Sequence, residues 1–368
     1  MLYHRSNTVN VGVNVPTRVT QRLHGIAVGS ALKGLRLYQE LSQILGVLHD
    51  EGIPVIVLKG AYLAEVVYRN VALRSMGDID LMVSKGDLSR VEAKLLAMGY
   101  AQRMQWHIDV DYATHHHLHP LTRAEGVPIE IHWTIERPTN PFTIDIDGLW
   151  RRARPARIAG ADVLVLCPED LLLHLCLHTA FDHRFLLGLR ACWDIFEIIQ
   201  HHGPGIDWKQ VQDRAREWGI AKYVYLTLQL AKELLGAAVP VQALAALKPN
   251  GFQPRLIAWA SAEIFAEQTP TIPVSPRLAE MWGARGIREK ALLLMKSAFP
   301  SPRAMGRMYP AAGDSKWVYL YYPLRWRDLL LQYRGSGWQL IRRNEEAMSL
   351  IEREHERAAL MDWLKSVD

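Results

Sequence analysis

Two aspartates, one residue apart, interrupt an apolar run in the segment GDIDLMV, residues 77–83. The run has the character of a buried strand, where a carboxylate is costly to desolvate. Since side chains alternate across a strand, Asp78 and Asp80 are predicted to share one face, roughly 6 to 7 Å apart along the strand. Two buried carboxylates at that separation repel each other unless a cation lies between them. The pattern therefore predicts a metal site on a strand.

A third carboxylate is predicted to join this pair. In IEIHWTI, residues 129–135, alternation places Glu130 and His132 on one face of a strand. If this strand lies beside the first, Glu130 reaches Asp78 and Asp80. Three carboxylates on adjacent strands hold two Mg²⁺ ions, which clamp the attacking and leaving oxygens of a phosphoryl-type displacement.

A phosphate-binding turn is predicted before the aspartates. The segment VLKGAYLAEVVY, residues 57–68, is typical of a strand, a glycine turn at Gly60 and a helix, whose first N–H groups attract phosphate. Lys59 and Arg74 are candidate phosphate contacts. Gly77 is expected to let the chain turn sharply into the aspartate strand.

The chain has two further aspartate pairs of the same spacing, and both are interpreted as structural or solvated. Asp109 and Asp111 lie in a polar stretch without apolar alternation. Asp145, which precedes Asp147, comes directly before a helical segment, where aspartate is a preferred N-cap. The spacing alone therefore does not identify a metal site.

The histidine-rich segments have two interpretations each. Alternate histidines of residues 115–119 share a face and could bind zinc, but the favoured interpretation is an antiparallel strand beside the site, because no cysteine or carboxylate completes a ligand set. His174 and His178 have the spacing of a metal-binding helix face but lack a metalloprotease glutamate, so the favoured interpretation is that they line the core or a cleft. His178, with nearby Asp182, is expected to contact substrate.

The sequence changes character after Pro138. Before it, helical and strand patterns alternate; after it, amphipathic helices follow one another. We expect an α+β fold, with a small mixed sheet followed by an all-helical domain. The predicted divisions are an N-terminal arm at 1–30, the sheet domain at 31–150, a helical domain at 151–300 and a C-terminal helical extension at 301–368.

Charge and cysteine content narrow the functional classes. A formal charge of +5 suits an anionic substrate but is too small to establish nucleic-acid binding. The basic segment at 149–158 is interpreted as a solvated linker, with a grip on RNA as the alternative. The three cysteines form no C-x-x-C pair. With neither a signal peptide nor a membrane span expected, a cytoplasmic location is predicted.

Four motifs together carry a resemblance. The segments LKG, LRSMGDIDLMV, IEIHW and PEDLLLHLCLH closely resemble a large, mostly uncharacterised bacterial family of nucleotidyltransferases, in the superfamily that includes DNA polymerase beta. The similarity runs from about residue 35 to 240. It implies a nucleotidyltransferase domain that uses Mg²⁺ to transfer a nucleoside monophosphate from a nucleoside triphosphate, expected to be ATP, to an acceptor hydroxyl, with release of pyrophosphate.

The resemblance also implies roles for individual residues. Asp78, Asp80 and Glu130 become the catalytic metal ligands for two Mg²⁺ ions. Gly60 becomes the phosphate-turn glycine, and Arg74 matches an arginine common before the paired aspartates. The full set of predicted nucleotide-binding residues is Lys59, Gly60, Arg74, Gly77, His132 and His178.

One position departs from the superfamily pattern. A second glycine or a serine usually follows the turn glycine, and here that position is Ala61. The alternative hypothesis is therefore a catalytically inactive nucleotide- or protein-binding module. The acceptor is left open among protein, peptide, RNA and small molecule.

Overall fold

The computed structural model describes most of the chain in two compact units. The described residues are 16–102, 112–124, 126–266, 295, 298–301, 305, 316–328, 359–360 and 362–364. The first unit comprises residues up to 183 together with 189–252, and the second comprises 184–188 and the residues from 253 on. The sheet and the candidate site belong to the first unit. The divisions predicted at residues 150 and 300 stay predictions.

A seven-stranded mixed sheet forms the base of the first unit. Its strands are β1 (Ile56–Val57), β2 (Ile79–Met82), β3 (Ala101–Gln102), β4 (Leu121–Thr122), β5 (Ile129–His132), β6 (Arg154–Ile158) and β7 (Ala161–Val165). Their order across the sheet is β3-β4-β5-β2-β1-β7-β6. β2 runs parallel to β5, and β1 runs parallel to β7, whereas the other pairs are antiparallel. The mixed sheet with its many helices confirms the α+β class.

Helices make up much of the described chain outside the sheet. In the first unit they are α1 (Thr17–Asp50), α2 (Lys59–Tyr62), α3 (Leu88–Ala97), α4 (Ile146–Arg152), α5 (Pro168–Leu177), α6 (Leu189–His202), α7 (Trp208–Glu217), α8 (Ala221–Leu235) and α9 (Val241–Leu247). In the second unit α10 spans Arg255–Phe265. Every residue of α5 is buried, and α5 packs against α6, α7 and α8. The helical character predicted after Pro138 is confirmed for these segments.

Helix α1 begins earlier than the sequence predicts. It starts at Thr17, inside the predicted arm, although its buried residues begin only at Gly34. The first half of the helix has apolar residues at helical spacing, Val19, Leu23 and Ile26, but Val19 and Ile26 are exposed. Residues 1–15 of the predicted arm lie outside the described residues.

The interpretation of the basic segment at 149–158 as a linker was wrong. Its first residues belong to α4, and the rest form edge strand β6, which pairs with β7 across a two-residue turn at Ala159 and Gly160. Both turn residues have positive φ, 50° and 80°, as such a hairpin requires. Pro155 is tolerated because β6 is the last strand of the sheet. The sheet thus extends past the helical boundary that the sequence predicts.

Candidate metal and nucleotide site

The pairing of β2 with β5 brings the predicted carboxylates together. The two strands are parallel neighbours in a register that sets Asp80 opposite Glu130 and Met82 opposite His132. Because alternate residues of a strand share a face, Asp80, Glu130 and His132 project from the same side of the sheet. This is the adjacency predicted for Asp80 and Glu130.

Three side chains converge there in a possible ligand set. One oxygen of Asp80, one oxygen of Glu130 and one ring nitrogen of His132 all lie within 4.8 Å of one another. Among the residues that the structure describes, no other set of three or more histidine, cysteine or acidic side chains gathers so closely. His132 therefore stands in the position that the sequence assigned to Asp78. Asp78 is exposed and lies outside this set, so its role as a ligand stays a prediction.

Lys59 and His132 offset the negative charge of the cluster. Nζ of Lys59 lies 3.5 Å from Oδ2 of Asp80, and Nε2 of His132 lies 3.2 Å from Oδ1 of Asp80 and 3.5 Å from Oε2 of Glu130. Burial alone would raise the pKa of Asp80, but Lys59 and the hydrogen bond from His132 hold that pKa well below its usual value. Asp80 is thus ionised and ready to bind a cation at neutral pH.

Neighbouring charges and hydrogen bonds also shift the pKa values of the other acids and of His132. The hydrogen bond from His132 lowers the pKa of Glu130. Burial opposes protonation of His132, yet its hydrogen bonds to Asp80 and Glu130 raise its pKa overall. Asp78 is exposed as a residue, but partial desolvation of its carboxyl, and next the charge of Asp80, raise its pKa. Four titratable groups therefore share one electrostatic environment, which is typical of functional sites.

Helix α2 begins directly at Lys59, next to the cluster. Lys59 has a φ of 26°, in the left-handed region that few non-glycine residues adopt. Such strain costs about 1–3 kcal/mol and is concentrated at functional sites. A Cβ on the following residue, Gly60, would lie 3.1 Å from both Nη1 of Arg74 and Sδ of Met76. The close packing of this turn accounts for the glycine, and its contact with phosphate stays a prediction.

Arg74 is engaged in a buried ion pair. Its Nε and Nη2 donate to the two carboxylate oxygens of Asp194 on α6, each at 3.0 Å, and the Tyr68 hydroxyl donates to Oδ1 of Asp194 at 2.7 Å. Arg74 therefore ties the segment before β2 to the helices. Its contact with phosphate stays a prediction, beside this structural role.

The chain bends at Gly77 before it enters β2, as expected, but the bend does not require a glycine. Its φ is not in the left-handed region, and a Cβ added there would meet nothing within 4 Å. The chain enters β2 without a conformation that only glycine can adopt. A nucleotide contact at Gly77 stays a prediction.

A second group of histidines lies at the end of α5. Residues His178–Asp182 continue α5 as one π-helical turn, a feature often found at functional sites. Nδ1 of His178 lies 3.2 Å from Oδ2 of Asp182. Burial, followed by the charge of Lys59, holds the pKa of His178 well below its usual value, and Asp80 opposes that shift. His178 is therefore close enough to Lys59 and Asp80 to respond to their charges, and its contact with substrate stays a prediction.

The histidines of residues 115–119 lie beside β5. His117 forms an isolated antiparallel bridge with His132, and the rings of His116 and His117 lie 5.4 and 5.1 Å from the His132 ring. Burial lowers the pKa of His116 to about 2, so this ring is neutral. The arrangement agrees with the favoured interpretation of an antiparallel segment beside the site.

The other two aspartate pairs have separate outcomes. Oδ1 of Asp145 accepts a hydrogen bond of 2.8 Å from the backbone N–H of Gly148 at the start of α4, so its predicted N-cap is confirmed. Asp109 and Asp111 lie outside the described residues.

Comparison with known proteins assigns the chain to a family. The model of a family described as uncharacterised nucleotidyltransferases matches residues 1–236 of the 368 residues. The chain belongs to this nucleotidyltransferase family. The matched residues include β2, β5 and the whole Asp80–Glu130–His132 cluster. Family membership supports a general role in nucleotidyl transfer.

Two further comparisons add little to the family assignment. No curated protein matches the sequence. One solved structure, of an antigenic nucleotidyltransferase-like protein from Paracoccidioides brasiliensis, resembles this chain with 16% sequence identity and a TM-score of 0.36. The match covers 57% of this chain and 93% of that chain. At that TM-score the likeness carries no conclusion about this chain.

Two buried acids of this nucleotidyltransferase family member were missing from the predicted site. Asp194 is the partner of Arg74, and Glu136 is buried four residues after His132. Glu136 follows His132 at the even spacing that would have placed it on the same face of a longer strand. That alternation was the available signal for Glu136, whereas no sequence pattern links residues as distant as Arg74 and Asp194.

Proposed function

We propose that this chain is a Mg²⁺-dependent nucleotidyltransferase that moves a nucleoside monophosphate from a nucleoside triphosphate, with ATP as the expected donor, to an acceptor hydroxyl and releases pyrophosphate. The observation that carries the proposal is the Asp80–Glu130–His132 cluster on two adjacent parallel strands in a member of a nucleotidyltransferase family. Kinship with DNA polymerase beta, a bacterial origin and a cytoplasmic location belong to the same proposal. Among the described residues, no helix combines the length and apolar character that a bilayer span requires.

The cluster has suitable donor atoms for a divalent cation. Asp80 and Glu130 would supply carboxylate oxygens, and His132 would supply an imidazole nitrogen after Nε2 has lost the proton that it donates to the two acids. Mg²⁺ prefers oxygen ligands, and Asp78, at the entrance of β2, would supply another for the proposed second ion. Mn²⁺ accepts imidazole more readily, so it belongs in every assay beside Mg²⁺. A cation bound here would stabilise the negative charge that develops on the phosphoryl oxygens.

The protein's own residues would position the triphosphate. Lys59 is partly exposed, and its ammonium lies against Asp80, so it can exchange that contact for a phosphate oxygen. Gly60 permits the close approach of Arg74 to the same turn. These contacts place positive charge beside β1 and the carboxylates on β2 and β5. The acceptor hydroxyl would approach on the β5 side of β2, where Glu130 lies.

A specific observation also favours the second candidate, an inactive binding module. Lys59 and His132 already neutralise the carboxylates without a metal. In addition, Ala61 replaces the usual second glycine or serine of the phosphate turn. A protein of this kind would bind a nucleotide or a protein without releasing pyrophosphate.

One labelling experiment separates the two candidates. The full chain is incubated with each α-labelled nucleoside triphosphate, Mg²⁺ or Mn²⁺, and a cell lysate, and label is then sought in protein, RNA and small molecules. The proposal expects transfer that depends on the metal and is lost in Asp80→Asn. Asp213→Asn, which changes a partly exposed acid on α7, is the matched control and should transfer normally.

Three results would contradict the proposal. Unaltered transfer by Asp80→Asn would show that the cluster is not the active site. Calorimetric binding of Mg-ATP without pyrophosphate release across many acceptors would establish the binding module instead. Release of inorganic phosphate from ATP without any acceptor would indicate a phosphohydrolase.

A further inference from the structure

A cleft of about 600 Å³ opens where β5 ends. Four aromatic side chains contribute to its walls: Tyr112, Trp133, Phe142 and Trp150. Tyr112 and Trp133 meet edge to face, with ring centroids 5.0 Å apart. Aromatic walls bind flat rings by stacking, and this stacking depends little on which base or ring substituent is present.

Glu136 lines the same cleft and has an unsatisfied oxygen. The side chain is only 4% exposed. Its Oε1 accepts hydrogen bonds from the backbone N–H of Arg137 at 2.8 Å and from the Asn140 side-chain amide at 2.6 Å. Its Oε2 is buried without a hydrogen-bond partner. Buried polar atoms are nearly always paired, so this oxygen requires an explanation such as a ligand.

The charges around Glu136 connect the cleft to the candidate site. Burial, and next the charge of Asp182, raise the pKa of Glu136 to about 7, while Arg137 opposes the shift. Asp182 is also the partner of His178 in the π-helical turn. Asp182 is thus near both Glu136, in the cleft, and His178, in the turn.

We propose that the cleft binds a planar nitrogen ring of the nucleobase type and that Glu136 selects rings carrying an amino group. The aromatic walls would hold the faces of the ring, and Oε2 would accept a hydrogen bond from the amino group. The terminal torsion of a glutamate is soft, so a small rotation would present Oε2 to the ring and leave Oε1 within reach of its two donors. The selection rests on Oε2, because Oε1 already serves two donors.

The origin of the ring rests on the proposed function. In a nucleotidyl transfer it is either the base of the nucleoside triphosphate or a ring of the acceptor. The base of the donor and a ring of the acceptor have the same chemistry, and competition with the Mg-triphosphate distinguishes them. Binding of the ring itself requires neither metal nor turnover, so it can be tested apart from transfer.

The decisive variant is Glu136→Gln, because it reverses the hydrogen bond at Oε2. The two donors at Oε1 require an acceptor, so the amide oxygen of glutamine should take that place and its NH₂ group should replace Oε2. An acceptor then becomes a donor at the same point. The variant should therefore prefer rings with a carbonyl where the wild type prefers an amino group.

The test measures binding of free nucleosides to the full chain at pH 8 without metal, by tryptophan fluorescence and calorimetry. The pairs adenosine and inosine, and cytidine and uridine, each exchange an amino group for a carbonyl. The wild type should bind the amino member of each pair about tenfold more tightly. Glu136→Gln should bind the carbonyl member more tightly, and Glu217→Gln, an exposed control at the end of α7, should behave like the wild type.

Each outcome decides the proposal. Reversal of preference supports it, and a misfolded variant cannot produce a reversal. Equal preferences in the wild type and Glu136→Gln, or no nucleoside binding to folded wild type at millimolar concentration, would overturn it. Unchanged nucleoside preferences in a Glu136→Gln protein that still carries out nucleotidyl transfer would overturn this inference and leave the proposed function standing.

A competition experiment between nucleoside and Mg-triphosphate shows whether the ring belongs to the donor nucleotide or to the acceptor. Displacement of bound nucleoside by the corresponding Mg-triphosphate would assign the cleft to the base of the donor nucleotide. Simultaneous binding of both would assign it to the acceptor. Either result supports a ring site in the cleft.

Discussion

Two groups of buried charges lie close together in this protein and are built differently. In the first, Arg74 and Asp194 form a one-to-one pair through two bonds of 3.0 Å, and Tyr68 adds a third. In the second, Asp80 and Glu130 meet Lys59 and His132 at 3.2–3.5 Å. Nδ1 of His132 has no hydrogen-bond partner.

The difference separates a structural network from the proposed binding site. The Arg74–Asp194 pair uses both carboxylate oxygens in the geometry that guanidinium favours, so no binding capacity is left over on the acid. The Asp80 cluster gathers carboxylates that repel one another and holds them with longer contacts. Removal of charge should therefore destabilise the protein in the first group and abolish ligand binding in the second.

The largest expected effect is on the activity of Asp80→Asn. Loss of this charge should reduce nucleotidyl transfer roughly 10³-fold or more, because the cation and the triphosphate lose their main anchor. The free energy of unfolding should change less than in Asp194→Ala, since Asp80 also repels Asp78 and Glu130. Single-turnover rates and urea unfolding measure the two effects. An Asp80→Asn protein that is less stable but fully active would show that Asp80 belongs to the structural network and not to the proposed binding site.

Asp194→Ala should have the opposite profile. Removal of one partner leaves Arg74 charged and buried, which destabilises proteins by about 3–5 kcal/mol. Urea unfolding with far-UV circular dichroism measures the loss. The double variant Arg74→Met with Asp194→Leu serves as control and should recover much of the stability, because no unpaired charge remains. Equal losses in the single and double variants would show that the pair is not a saturated ion pair.

Glu136 is an intermediate case, a buried acid without a cationic partner at its free oxygen. Its pKa is raised from 4.5 to about 7, so the folded state favours the protonated form. Protonated Glu136 contributes its full stabilisation of the folded state below about pH 4.5, and this contribution is lost as the pH rises through about 7. The total loss in the free energy of unfolding is at most about 3 kcal/mol. The unfolding free energy of the wild type, relative to Glu136→Gln, should fall across this range. A difference that is independent of pH would show that Glu136 is not held protonated by burial.

The smallest expected effect is at Asp145, an exposed acid with a known structural role. Asp145→Ala removes the N-cap of α4 and should lower the free energy of unfolding by about 1 kcal/mol. Asp145→Ser should recover most of it, since serine also caps helices. Neither variant should change nucleotide binding. A change in nucleotide affinity would place this aspartate pair in the site after all.

The part of the site that could be predicted depended on local periodicity. Strand alternation correctly placed Asp80 and Glu130 on one face, and the family resemblance favoured the pairing of their strands. The same alternation put His132 beside Glu130, but it was assigned to nucleotide rather than to the metal cluster. What could not be predicted was which members of the face converge, because that depends on the register and on where the strand begins.

Long-range partners and edge strands account for the other misses. The ion pair of Arg74 could not be predicted, because its partner Asp194 lies 120 positions away and leaves no mark on the local pattern. The β6–β7 hairpin was missed because its arginines and Pro155 obscured the alternation. The Ala159–Gly160 turn between two alternating segments was the signal that could have revealed it.

The parallel pairing of β2 with β5 also determines when the site is assembled during folding. Parallel neighbours cannot be joined by a tight turn, and 52 positions separate Asp80 from His132. The entropy of closing this long loop must be overcome before the ligands meet, which makes the contact slow to form. No short fragment of the chain contains the cluster, and an intermediate with only local structure lacks it. Metal affinity would therefore arise only when the core of the sheet has formed, and cation binding would report the completion of folding.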